Sequence, residues 1–152
     1  MNIVRIDRSN SVSAGEWEQR VKLAAVYRAF ACMGWDDLIY THISARVPGP
    51  DRHFLINPFG LMYDEVTASN LVKIDLAGEK VERDEPHEIN YAGYIIHSAV
   101  HEALDDIHCV IHLHTDCGVA VASQKYGLLP LSQFNPHFPD ELVNRCPEME
   151  IM

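Results

Sequence analysis

Alternating side chains in residues 108–114, HCVIHLH, constrain the fold more tightly than any other segment of the sequence. Such alternation predicts a β-strand, in which successive side chains point to opposite faces of a sheet. One face carries His112 and His114. The next segment, TDCGVAVASQKYG, predicts a helix that begins after Thr115 and ends at Gly127. The apolar face of the strand is predicted to lie in the core and carries Cys109, Ile111 and Leu113.

The pair His112 and His114 has the spacing of a metal-ligand pair. Two residues apart on a strand, their imidazoles project to the same side with Cα atoms roughly 6–7 Å apart, so both can reach one ion. A catalytic zinc takes three protein ligands, such as neutral imidazole nitrogens, and keeps one open position. The pair therefore indicates half of a zinc site. The alternative is a pair of surface or hydrogen-bonded histidines at a sheet edge.

Composition limits the classes of partner. The 152 residues fit one domain, and 47% hydrophobic with 22% charged residues is typical of a folded globular chain. The formal net charge of −10 argues against binding to nucleic-acid phosphates or to an anionic membrane surface. We therefore expect neither nucleic acid nor a membrane among the partners of this chain.

Sequence signals for location favour the cytoplasm. No apolar segment approaches the length that spans a bilayer, and the first twenty residues lack the apolar core of a signal peptide. The cysteines show no C-x-x-C spacing, which favours reduced thiols in an intracellular protein. These cysteines are Cys32, Cys109, Cys117 and Cys146.

Local patterns predict a helix followed by short extended segments. Apolar residues at helical spacing predict a helix from Glu16 to Met33, started at Ser13 or Gly15 and ended by Gly34. Turn residues around the extended segments predict hairpin-like connections. The extended segments are two strands within residues 40–47 and 53–60, a hairpin within residues 71–83, and one further strand at residues 128–134, with a helical turn at residues 67–70.

A second long helix is predicted from Pro86 to about Leu104. Its apolar stripe is predicted to face the sheet, and its polar stripe to face solvent. The apolar stripe consists of Ile89, Ala92, Ile96, Ala99, Val100 and Ala103, and the polar stripe of Asn90, Tyr94, His97 and His101.

Two longer stretches resemble the class II aldolase/adducin family, and its adducin-like branch in particular. They read KLAAVYRAFACMGWDDLIYTHISARV, continuing through HFLINPFGLMYDEVTASNLVKIDLAGE, and INYAGYIIHSAVHEALDDIHCVIHLHTDCGVAVASQKYGLLPLSQF. The resemblance covers roughly Glu18 to Phe134. It implies an α/β fold, a three-layer α/β/α domain with a mostly antiparallel central sheet.

The resemblance also implies a zinc site and an incomplete domain. In aldolase members the H-x-H strand supplies two zinc ligands, which correspond to His112 and His114, and the zinc stabilises negative charge on the substrate oxygens. The third zinc histidine of the family lies downstream, where this chain has only His137 in an unrelated context. The implied organisation is a flexible segment (residues 1–17), a family-like domain truncated at its C-terminus (18–134) and a divergent tail (135–152).

The acid/base of the aldolases has no direct counterpart in this chain. Alignment through His97 places Gly93 where aldolase members have a catalytic glutamate. Glu88 remains as the candidate acid/base, although it lies more than a helical turn earlier. The family's phosphate-binding loops correspond to residues 40–44 and 57–60 of this chain. There His42 replaces an amide side chain and Phe59 replaces a hydroxyl, which disfavours a sugar phosphate as the substrate. The candidate substrate-binding residues are His42, Asn57, Gly60 and His97.

Three interpretations stay open on the residues alone. The first is a zinc-dependent aldol-type lyase acting on a small hydroxy-carbonyl compound, weak or inactive in this form. The second is a non-catalytic, adducin-like module for self-association or protein binding, which Gly93 and the NPFG loop favour. The third is a fragment without independent function, because absent strands would leave an unpaired sheet edge. The resemblance implies a homo-oligomer in the first two cases.

Overall fold

A computed structural model describes residues 11–126 of the chain. This part holds three α-helices, a short 3-10 helix (Tyr63–Glu65) and four strands, and none of its helices is long and apolar enough to cross a membrane. In chain order the elements are α1 (Ala14–Met33), β1 (His42–Arg46), β2 (Phe54–Ile56), β3 (Val72–Ile74), α2 (Tyr91–Ala103), β4 (Cys109–His112) and α3 (Asp116–Ala122). The predictions for Gly127 and residues 128–152, His137 and Cys146 included, lie outside the described residues.

The four strands form one antiparallel sheet in the order β3-β2-β1-β4. Register pairs His42 with His112 across β1 and β4. Alternate residues of β1 face opposite helices, because Ile43 packs in the same buried cluster as Tyr27 of α1 while His42 contacts His97 of α2. A helix therefore covers each face of the sheet, as predicted for a three-layer α/β/α fold with an antiparallel sheet.

Helix α1 has the ends that the sequence predicts, with its first residue two positions earlier. The Ser13 hydroxyl accepts a hydrogen bond from the Glu16 backbone N–H at 3.1 Å, and Gly34 ends the helix with a φ of 65°. The buried face mixes apolar and ionic side chains. Arg20 is fully buried because its guanidinium contacts the Glu16 carboxylate at 2.8 Å and donates to the Leu71 carbonyl at 2.7 Å.

Helix α2 corrects two predictions. It begins at Tyr91 and not at Pro86, because Asn90 is the residue that caps it, accepting from the Gly93 N–H at 3.2 Å. The predicted orientation of its two stripes is wrong. His97 is fully buried against the sheet, while Ile96 of the supposed core stripe is 55% exposed. On the sheet face beneath α2, strand β1 contributes the polar side chains His42 and Ser44, which offer partners for the histidine side chains of α2.

Strand β4 confirms the predicted alternation and corrects the predicted core face. Ile111 is 47% exposed and Cys109 is exposed, whereas Leu113 packs against the core cluster beneath α1. The reason is position, since β4 is the outermost strand on its side of the sheet within residues 11–126. The thiols of Cys32, Cys109 and Cys117 are free.

The connections between these elements match the predicted turns with one exception. The predicted hairpin forms after β3, where Ile74 bridges to Lys80 around Gly78, whose φ is 84°. Residues 67–70 form a turn and not a helical turn, because the Thr67 and Asn70 side chains each bond the other's backbone N–H.

The chain divides into two units, with the boundary in the sequence between Thr115 and Asp116. All strands and the helices α1 and α2 belong to the first unit. Within the second, α3 follows Thr115 as predicted and ends at Ala122, and none of its residues is buried.

Candidate functional site

Five histidines of the first unit lie in one continuous row of side-chain contacts, which we call the histidine file. They come from four places in the chain: β1, two successive turns of α2, β4 and the segment that follows β4. The members in spatial order are His114, His112, His42, His97 and His101, and the Ser44 hydroxyl lies between the last two.

The outer end of the histidine file is the predicted ligand pair. Nε2 of His114 lies 3.2 Å from Nε2 of His112, so the two ring nitrogens face the same point. Nδ1 of His114 lies 2.8 Å from a carboxylate oxygen of Asp37, in the connection that follows α1. Each ring thus has one nitrogen directed to the shared point and the other engaged by the protein.

The middle of the histidine file joins the sheet to α2. Nδ1 of His112 lies 3.0 Å from Nε2 of His42, and Nδ1 of His42 lies 2.8 Å from Nε2 of His97. The first contact follows from the strand register, which places these two residues directly opposite each other. The second requires α2 to approach β1 closely, and Gly93 permits this because the ring of His42 lies against its bare backbone.

The inner end of the histidine file is completely buried. The Ser44 hydroxyl lies 2.6 Å from Nδ1 of His97 and 2.9 Å from Nε2 of His101, so it bridges the two rings of α2. His101 also packs against Phe54, with ring centroids 4.9 Å apart and the ring planes tilted by 38°. Its Nδ1 has no hydrogen bond of normal geometry among residues 11–126, although the Ile107 backbone lies near the ring.

Burial keeps the imidazoles of His42, His97 and His101 neutral at pH 7. Burial, together with the neighbouring rings of His112 and His114, lowers the pKa of His42 to about 4. Burial and the adjacent His42 lower the pKa of His97 to about 3. Burial and the Arg46 guanidinium lower the pKa of His101 to about 4, although a backbone interaction with Ile107 acts in the opposite sense.

The pair His112 and His114 fits two positions of a tetrahedral zinc site. Two nitrogens bound to one zinc at about 2.0–2.1 Å lie about 3.3 Å apart, close to the 3.2 Å between these Nε2 atoms. Both ligands also have outer partners on Nδ1, Asp37 for one and His42 for the other, as metal-binding histidines generally do. Burial and the neighbouring His114 lower the pKa of His112, which favours the neutral form that binds metal.

The site within the described residues holds two ligands and not three. No group of three or more His, Cys, Asp or Glu side chains in residues 11–126 is arranged to hold a metal ion. A complete catalytic zinc site needs one more protein ligand. That ligand would have to come from elsewhere in the protein or from another copy.

Other predicted site residues lie outside the histidine file. Asn57 is buried, and its side-chain oxygen accepts a hydrogen bond from the Tyr27 hydroxyl at 2.9 Å, so it joins the sheet to α1. Gly60 lies in a turn with a φ of 88°. Glu88 precedes α2, is mostly exposed and pairs with the Lys80 ammonium at 2.6 Å. It therefore does not replace a carboxylate at position 93.

Sequence reasoning missed Asp37, Ser44 and His101 as members of this arrangement. The spacing of His97 and His101 placed both on one face of α2, but the pattern alone predicted a solvated face. The signal that could have found them is the alternation of polar residues on β1. His42 and Ser44 lie on one face of that strand and offer partners for the polar stripe of α2.

Comparison with known proteins identifies similar sequences. The sequence model of the family described as Class II Aldolase and Adducin N-terminal domain matches residues 21–148. A protein of Pseudomonas aeruginosa named "Putative aldolase class 2 protein" is 63% identical over 127 residues, which cover 84% of this chain and 48% of that protein. Alpha-adducin of Mus musculus is 48% identical over 133 residues, which cover 87% of this chain and 18% of that protein.

Solved structures agree with the fold. An aldolase II superfamily protein from Pseudomonas syringae is 60% identical with a TM-score of 0.78, covering 83% of this chain and 51% of that one. An L-fuculose 1-phosphate aldolase from Glaciozyma antarctica is 33% identical with a TM-score of 0.67, covering 72% of this chain and 45% of that one. The chain spans about half the length of the bacterial relatives that it matches.

Proposed function

Because the chain belongs to the class II aldolase/adducin family, we propose that it is a zinc-dependent, aldol-type lyase domain acting on a small hydroxy-carbonyl compound. The observation that carries the proposal is the 3.2 Å separation of the His112 and His114 Nε2 atoms. The similarity to an L-fuculose 1-phosphate aldolase supports the reaction class. A bound zinc would supply Lewis-acid stabilisation of negative charge that develops on the substrate oxygens.

The protein's own residues would prepare the site in two ways. Asp37 and His42 orient the two ligand rings through their Nδ1 atoms. His42 and His97 stay neutral at neutral pH, so they add no positive charge that would repel a cation. His42 is buried and has both ring nitrogens engaged, so it supports the ligand His112 from within the protein.

The third ligand and the acid/base belong to parts of the site beyond residues 11–126. The chain spans about half the length of its bacterial relatives, and β4 has an open edge in the described part. We propose that the active form is a cytoplasmic homo-oligomer in which residues of this chain outside 11–126, or residues of a second copy, complete the site at a contact between copies. Glu88 is not proposed as the acid/base, because its exposed carboxylate pairs with Lys80 in the segment before α2.

Zinc binding by the 152-residue chain tests the proposal. We expect about one zinc per chain after titration, lost in the double variant His112→Ala/His114→Ala, and cleavage of a hydroxy-carbonyl substrate that depends on the metal. Replacement of the exposed His108 by Ala should leave zinc binding unchanged. Wild-type zinc content equal to that of the double variant would overturn the metal-dependent function.

The second function is a non-catalytic, adducin-like module for self-association or protein binding. Gly93, which lacks the side chain that the resemblance assigns to acid/base chemistry, and the similarity to alpha-adducin favour it. The α2 surface supports it as well, since Tyr91 and Ile96 are 71% and 55% exposed. Sedimentation velocity at increasing concentration, with and without a chelator, separates the two: concentration-dependent assembly in a chain that binds no zinc favours this module.

A further inference from the structure

The direction of hydrogen bonding along the histidine file bears on metal binding. A neutral imidazole carries one proton, so each ring donates from one nitrogen and accepts at the other. Because the contacts from His112 to His101 are continuous, the direction of one bond sets the direction of the next. Because the rings of His97 and His101 are the only hydrogen-bond partners of the Ser44 hydroxyl among residues 11–126, its proton goes to one of them. Two arrangements then satisfy every contact, one with every ring proton on Nδ1 and one with every ring proton on Nε2.

The two arrangements differ at the outer end. With the protons on Nε2, His112 donates to Nε2 of His114, and the pair is closed to a metal ion. With the protons on Nδ1, His112 donates to His42, and the free lone pairs of His112 and His114 face each other at 3.2 Å. Two facing lone pairs repel unless a cation lies between them, so a metal ion selects this arrangement.

The two arrangements also differ at the inner end. With the protons on Nδ1, the Ser44 hydroxyl donates to Nε2 of His101, and the proton of His101 lies on its unpartnered Nδ1. With the protons on Nε2, His101 donates to Ser44, and Ser44 donates to His97. The protonated nitrogen of buried His101 is therefore linked to the state of His112, through three intervening side chains.

We propose that the histidine file positions the metal ligand: His42, backed by His97, Ser44 and His101, holds His112 with its proton on Nδ1 and leaves Nε2 free for zinc. This inference rests on the proposed zinc site. His42 is a positioning residue here, since it acts through His112 and does not bind the metal. The exchange between arrangements conserves charge, because one proton leaves Nε2 of His112 while one enters Nδ1 of His101.

Nitrogen-15 NMR of the imidazoles tests the inference independently of activity, because protonated and unprotonated ring nitrogens have different shifts. With zinc added to the full chain, we expect His112, His42, His97 and His101 all to carry the proton on Nδ1. A zinc-loaded wild type in which His101 stays protonated on Nε2 would overturn the inference. So would a zinc-loaded wild type in which His97 and His42 carry protons on different nitrogens.

The zinc affinities of two His42 variants provide a second test of the inference. His42→Leu removes the acceptor for the His112 Nδ1 proton, and we expect affinity to fall about 10- to 100-fold. His42→Gln retains an amide oxygen near the position of Nε2, and we expect a loss of less than about 10-fold. His108→Leu, which removes an exposed imidazole, is the matched control and should bind zinc like the wild type.

The failure of this inference differs from the failure of the proposed function. If the wild type binds zinc and His42→Leu binds it equally well while folded, the inference is wrong and the zinc site stands. If the wild type binds no zinc, the proposed function is wrong, and the metal-positioning role fails with it. Circular dichroism of each variant separates loss of the ligand geometry from loss of the fold.

Discussion

The ring of His42 fills the space that a side chain on residue 93 would need. A Cβ built on Gly93 would lie 2.7 Å from Cδ2 and Nε2 of His42, closer than a Cβ atom approaches another heavy atom without displacement. The Nε2 atom in that contact is the one that meets Nδ1 of His112. Glycine at position 93 and histidine at position 42 therefore form one structural unit beside the ligand pair.

Replacement of Gly93 by Ala is predicted to weaken zinc binding about 10-fold or more. The added methyl group displaces His42 and with it the outer partner of His112. Zinc titration of the purified variant measures the effect. Gly15→Ala is the matched control, since a Cβ there meets Pro48 at an ordinary 3.8 Å. Equal zinc affinity of the Gly93 variant and the wild type would show that His42 keeps its place.

Replacement of Asp37 by Asn is predicted to reduce zinc affinity about 10-fold. The carboxylate accepts a hydrogen bond from Nδ1 of His114 at 2.8 Å and orients the ring with its other nitrogen toward the metal position, whereas a neutral amide forms a weaker bond. Asp36→Asn changes the same charge at the neighbouring position and should bind zinc like the wild type. Competition with a chromogenic chelator gives both affinities. Equal losses in the two variants would indicate a general charge effect and contradict a specific contact.

Local chemistry predicted much of the fold. Ser13 and Gly34 marked the ends of α1, and the turn around Gly78 marked the hairpin, because each depends on a few neighbouring residues. The β4 alternation also gave the shared face of His112 and His114 correctly. The family resemblance supplied the layered arrangement, which no single segment determines.

The orientation of α2 could not be predicted in the same way. A stripe that contains His97 and His101 is polar by any hydrophobicity scale, so it predicts a solvated face. Both side chains are buried because β1 presents His42 and Ser44 at matching positions. Such complementarity joins residues more than fifty positions apart, and it becomes visible only once the register of the sheet and the packing of α2 are known.

Replacement of Ser44 by Ala is predicted to destabilise the protein by about 1–3 kcal/mol. The hydroxyl bridges His97 and His101, and its loss leaves ring nitrogens of both unpartnered in a buried site. Ser98→Ala is the matched control, because within residues 11–126 its buried hydroxyl donates only to the Ile95 carbonyl of its own helix, and we expect a cost below about 1 kcal/mol. Urea unfolding, monitored by circular dichroism, measures the free energy of unfolding of both variants. Similar costs for the two variants would contradict a bridging role.

Acid is predicted to destabilise the fold between pH 6.5 and about 4 through the buried histidines of α2. His97 faces His42, His112 and Ser44, and His101 faces Ser44, Arg46 and Phe54. Burial holds the pKa of His97 at about 3 and that of His101 at about 4. The unfolded chain binds protons near pH 6.5 and the folded chain does not, so the free energy of unfolding decreases as the pH falls.

The variant His101→Gln isolates one of these contributions. Its amide can still contact Ser44 but does not titrate, so between pH 7 and pH 5 it should lose about 1–2 kcal/mol less stability than the wild type. Urea unfolding at pH 7 and pH 5 measures how much stability the variant and the wild type each lose. His108→Gln removes an exposed histidine and should follow the wild type. If His101→Gln also lost as much stability as the wild type, His101 would have to accept its proton within the folded protein, and its burial beside Arg46 would not keep it neutral.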